Sequence, residues 1–206
     1  MALFGFGYKR KLEEVKELLE AEEYQAAARV ADEIPVLKVK SAYELNLIGK
    51  AYKCNGDYLQ ARDVFERSYE VRCSRPALID IMDCCLEVKD LESAEKYFDE
   101  YHKVAPEDKI TQYKYRYRIE KRRGRERRLL ITILEELKAL DYMEEKYEPI
   151  DCLYKVISNV IDDKRLLEWW LLYSNKQADY YPQFSQTPVK ITSPQDLLDY
   201  YFQTKE

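Results

Sequence analysis

The densest chemistry in these 206 residues is cationic. Between Lys109 and Arg128 stand ten lysines and arginines (109, 114, 116, 118, 121, 122, 123, 125, 127 and 128) against Glu120 and Glu126. The local charge is +8 in a chain of net charge −5, so the remaining residues carry −13. Such a block binds anions; a run such as Lys121-Arg122-Arg123-Gly124-Arg125 also suits a solvated helix C-terminus, where the helix dipole favours cations. Tyr113, Tyr115 and Tyr117 alternate with Lys114, Arg116 and Arg118, and stacking combined with phosphate contact is how single-stranded nucleic acid is held. The acidic remainder opposes approaching phosphates, so nucleic acid is the alternative partner and not the expected one.

Catalytic chemistry has little to draw on. Five glycines and one histidine, His102, leave scant material for phosphate-cradling loops, histidine metal sites or triads. The pairs Glu13-Glu14, Glu22-Glu23, Glu135-Glu136 and Glu144-Glu145 suit exposed helix faces. His102 suits a helix C-terminus better than a general base, and Trp169-Trp170 a packed seam better than a pocket. Cys54, Cys73, Cys84, Cys85 and Cys152 are odd in number and lack a CxxC pair, so reduced, buried thiols are expected. No catalysis, cofactor or metal is expected.

No run approaches the roughly 18 apolar residues that a membrane span requires, and Met1 to Lys11 is too short and too quickly charged for a secretory signal. A cytoplasmic location without membrane contact is the expectation.

The elements that must position these residues are helical and periodic. Tyr24-x2-Ala27-x3-Ala31, Ala61-x3-Phe65 and Leu91-x2-Ala94-x3-Phe98 place Ala27, Ala61 and Ala94 at intervals of 34 and 33 residues. Gly124-x4-Leu129-x3-Ile133 is a weaker fourth copy. An alanine where two helices cross lets the backbones approach, and an aromatic four residues later fills the widening gap. Gly49 serves the same purpose, Gly56 suits a left-handed helix stop, and Pro35, Pro76 and Pro106 mark connections between helix pairs. Helices are predicted near 8–20, 24–34, 41–54, 58–71, 75–88, 91–103, 109–122 and 125–139. The alternating Tyr113–Arg118 segment is read as helix because no partner strand exists for it. Beyond residue 141 the chain is aromatic-rich, with helices predicted over 148–161 and 163–174. A last helix is predicted from Ser193, where Ser193-Pro194-x-Asp196 gives a cap.

The order Leu45-x2-Ile48-Gly49-x2-Tyr52, Gly56-Asp57-Tyr58, Ala61-x3-Phe65 resembles the tetratricopeptide repeat (TPR), with Leu45 where that family often has tryptophan. The resemblance implies an all-α, right-handed α-solenoid of about four TPR-like helix pairs with a C-terminal helical cap. Residues 1–140 would hold the repeats (8–40, 42–74, 75–107 and 109–140), and 141–206 the aromatic-rich capping region.

In that family the first helix of each pair lines the concave surface. Carried over, the inward set is Lys9 and Lys16, then Tyr43, Asn46, Lys50 and Lys53, then Ile79 and Asp83, then Lys114, Arg118 and Lys121, most of it basic. The family's carboxylate clamp is not reproduced, because Ile79 and Asp83 occupy the region where its second asparagine belongs. The functional expectation is a non-catalytic protein–protein interaction adaptor whose basic groove (Tyr43, Asn46, Lys50, Lys53, Lys114, Arg118, Lys121) receives an acidic peptide or protein segment. The alternatives are single-stranded nucleic acid on residues 109–128, or a self-associating, homo-oligomeric scaffold.

Overall fold

The structure is a computed structural model that describes residues 4–125. Contacts divide the chain into two compact units, Met1–Glu107 and Asp108–Glu206. The first contains α1 (Phe4–Glu20), α2 (Tyr24–Asp32), a 3-10 helix (Val36–Lys38), α3 (Ala42–Asn55), α4 (Tyr58–Val71), α5 (Arg75–Glu87) and α6 (Leu91–Val104). In the second, α7 (Lys109–Arg122) is described. All regular structure among the described residues is helical, and from α1 to α6 each helix packs on its chain neighbour, with α1 also against α3. The segment Tyr113–Arg118 is helical, as predicted. The helices predicted over 125–139, 148–161, 163–174 and from Ser193, the cap, Trp169-Trp170 and Cys152 lie outside the described residues.

One local device ends every odd-numbered helix. Glu22, Gly56, Lys89 and Gly124 adopt left-handed backbone, with φ of 59°, 89°, 62° and 67°. They are 34, 33 and 35 residues apart. In each case the next amide donates back to the carbonyl five residues earlier: Glu23 to Leu18 at 2.8 Å, and Asp57 to Tyr52, Asp90 to Cys85 and Arg125 to Glu120 at 2.9 Å. This is the Schellman closure, which satisfies carbonyls that a helix end otherwise leaves unpaired. Glycine fills two of the four positions; Glu22 and Lys89 hold the same conformation against a side-chain penalty. Helix starts repeat too. Ser41, Ser74 and Asp108 cap α3, α5 and α7, each accepting from the amide three residues on.

The core repeats with the turns. Ala27, Ala61 and Ala94 are fully buried, and each amide donates to the N-cap carbonyl of its helix (Glu23, Asp57 and Asp90) at 2.9–3.0 Å. Four residues later lie Ala31, Phe65 and Phe98, all buried. A Cβ built on Gly49 would lie 2.6 Å from Cε1 of the Phe65 ring, so the glycine is what lets α3 and α4 close on that ring. Cys84 and Cys85, about 100° apart around α5, are both buried, so α5 is covered on two sides. Burial pushes their thiols up to about 12 and about 11 respectively.

Three expectations need correction. Pro76 lies in the first turn of α5, where its missing amide hydrogen costs nothing, and not in a connection. Cys54 and Cys73 are exposed, Cys54 in the last turn of α3 and Cys73 just after α4. Finally, α2 stops at Asp32 and not near residue 34, because Pro35 cannot donate and disfavours helix at the residue before it. The 3-10 helix then occupies the stretch that the last turn of α4 occupies one period later.

Candidate binding surface

The buried face of α3 is Leu45, Ile48, Gly49, Ala51 and Tyr52. Helical geometry therefore sends the 3-4-3 series Tyr43, Asn46, Lys50 and Lys53 to a different face. Tyr43 is 70% exposed, unusual for a residue of its size, and Lys50 is exposed beside it. Asn46 is half-buried, and its Oδ1 has no hydrogen-bond partner among the described residues. These four predicted residues therefore share one stripe.

Lys53 differs from the others. Its Nζ lies 2.8 Å from Asp80 Oδ1 and 2.8 Å from Asp83 Oδ2, both on α5. Burial of the ammonium works against its charge, but the two carboxylate hydrogen bonds outweigh that and hold it up at about 12. Lys53 thus joins α3 to α5, and the three side chains together carry −1. Asp80 was not among the residues singled out from sequence. Its separation of 27 residues from Lys53, one repeat less about two helical turns, is the signal that would have found it. Ile79 and Asp83 are half-buried on α5, while Lys9 and Lys16 are exposed on α1.

Other polar ties join α4 to the start of α6 and link the neighbouring pairs α2–α3 and α3–α4. Arg62 Nη1 donates to Asp90 at 2.9 Å, where the Ser93 amide and then the guanidinium hold the carboxyl below its ordinary value. Tyr52 donates to Asp32 on α2 at 2.9 Å, and burial followed by that carboxylate raises its phenol above the ordinary value. The Ser68 hydroxyl, fully buried, donates to the Ala42 carbonyl at the start of α3.

The remaining predicted residues, Lys114, Arg118 and Lys121, lie on α7 of the second unit, again at helical spacing. Lys114 and Lys121 are exposed and Arg118 is half-buried. Arg118 stacks 5.2 Å from the Tyr115 ring centroid, and Lys121 lies 5.7 Å from that of Tyr117. Tyr115 is buried along with Gln112 and Ile119, so its ring packs inward. Two of the three tyrosines that nucleic-acid stacking would employ therefore already carry a cation of their own helix.

Among the described residues no group of three or more His, Cys, Asp or Glu side chains is arranged to hold a metal ion, and no helix is long and apolar enough to cross a membrane. No family model, curated protein or solved structure matches the chain.

Proposed function

We propose that the chain is a TPR-like helical-repeat adaptor, a right-handed α-solenoid without catalytic chemistry that receives an extended acidic segment of a partner protein on the odd-numbered helices of the first unit. The observation that carries this reading is the recurrence, at 34, 33 and 35 residues, of one left-handed helix stop at Glu22, Gly56, Lys89 and Gly124. With it go the equivalent buried alanines and the ties from α3 to α5 and from α4 to the start of α6. Identical turns at a fixed period favour stacking of like units, which leaves one helix of each pair with a solvent-facing stripe.

On α3 that stripe offers a ring (Tyr43), an amide (Asn46) and a cation (Lys50), which suit an extended peptide's apolar side chain, backbone and carboxylate. Lys53 serves as a brace. On α7, in the second unit, Lys114, Arg118 and Lys121 form a cationic row of their own that also suits an acidic ligand. A stiff stripe loses little conformational entropy when it binds. The ring faces already covered on α7 favour protein over nucleic acid. In a capture assay with the full chain as bait, Lys50→Glu and Lys114→Glu are each expected to reduce recovery of native partners several-fold. Unchanged recovery with Lys50→Glu would reject the α3 stripe, and unchanged recovery with Lys114→Glu would reject the α7 row.

A further inference from the structure

Between the 3-10 helix and α4 lies an open depression of about 370 Å³. Its apolar lining is Val36, Leu37 and Val64, and its acidic lining is Asp63, Glu66 and Glu70. The volume is near the lower end of ligand cavities, roughly 300–1,000 Å³, and suits one large side chain. Leu37 is 80% exposed, the most exposed large apolar side chain among the described residues. It is held there: Arg67 Nη2 donates to the Leu37 carbonyl at 2.7 Å, fixing the 3-10 helix on α4. Arg67 is thus engaged, and Glu66 is hydrogen-bonded by Tyr97 and lies 3.8 Å from Arg62 Nε. Asp63, 72% exposed and only loosely met by Arg62 at 3.8 Å, and Glu70, exposed, face solvent.

Leu37 is not an isolated exposure. Val71 and Val104, at 34 and 33 residues further on, are exposed aliphatic residues at the ends of α4 and α6. Of the three, Leu37 is the one that lines the depression, which gives its exposure a use that a scattered apolar residue on a surface does not require. The carboxylates select the occupant. A plain apolar ligand would desolvate Asp63 and Glu70 without compensation, and an anionic one would be repelled by a lining whose charge, Arg67 included, is −2.

We propose that this depression is a docking site for a basic amphipathic segment of a partner protein, with one large aliphatic side chain against Val36, Leu37 and Val64 and flanking lysines or arginines against Asp63 and Glu70. It is a second surface, opposite in charge preference to the α3 stripe and independent of it. The test uses the full chain and a fluorescein-labelled helix-forming peptide of leucine and lysine, with its glutamate-for-lysine counterpart as comparison, read by fluorescence anisotropy. The leucine–lysine peptide is expected to bind, and Leu37→Glu and the pair Asp63→Lys with Glu70→Lys each to weaken it at least tenfold. All three residues are exposed, so these variants should keep the wild-type circular dichroism. Lys50→Glu should leave binding unchanged, and the glutamate peptide should bind the doubly reversed variant better than the wild type. Affinity unaffected by Leu37→Glu or by the double reversal overturns the proposal. So does self-association in sedimentation that Leu37→Glu abolishes, since a second copy would then be the occupant.

Discussion

At the scale of single residues, the fold depends on a few positions where backbone and side chain fit closely. Gly49 was legible in the sequence as a close-approach residue, and the Phe65 ring is what approaches it. Gly49→Ala gains about 1 kcal/mol of helix propensity but must displace a fully buried ring, which costs about 1–3 kcal/mol. Net destabilisation in urea unfolding is expected, with partial rescue by Phe65→Leu in the double variant. Lys89 presents the opposite case. It holds a left-handed conformation that glycine occupies at Gly56 and Gly124, so Lys89→Gly should stabilise by about 0.5–1 kcal/mol once the greater freedom of the unfolded chain is deducted. Sequence reading recognised the stop at Gly56 because glycine announces it; at Glu22 and Lys89 nothing in the side chain does, and only the period points to them.

At the scale of elements, helix limits followed from caps and stops and were largely readable: α4 spans 58–71 and α7 spans 109–122, as predicted. The register of one helix against another was not. Lys53 was read as a ligand-facing cation because the family resemblance puts it in the inward row of its helix, whereas Asp80 and Asp83 reach it from α5. Removing the base leaves two facing carboxylates, so Lys53→Met should cost about 1–2 kcal/mol, discounted from fully buried cases because the side chains are 18–26% exposed. Adding Asp80→Asn to Lys53→Met should recover part of that cost. Because the folded pKa of Lys53, about 12, exceeds its ordinary 10.5, the contribution is complete below pH 10.5 and disappears as pH rises through 12. The gap in urea midpoint between wild type and Lys53→Met should accordingly be narrower at pH 11.5 than at pH 8.

At the scale of the molecule, the period of 33 to 34 residues was visible in Ala27, Ala61 and Ala94 because close helix packing restricts those positions to small residues. The depression beside Leu37 was not visible, since it arises from Pro35 ending α2 early and so shifting an aliphatic residue to the surface. Chain charge is distributed in the same layered way: the basic run of 109–128 was evident in composition, while the acids that neutralise Lys53 emerged only from packing. Two surfaces of opposite charge preference on one repeat framework would let the protein hold two partners at once.

The α3 stripe is proposed to receive acidic protein segments. That reading is tested most directly by backbone amide NMR of the full chain titrated with a glutamate-rich peptide. Saturable shifts are predicted at Tyr43, Asn46 and Lys50, lost in Tyr43→Ala/Lys50→Glu, while Gln60 and Asp63 on α4 stay in place. Shifts confined to other helices, or binding that survives the double variant, would contradict it.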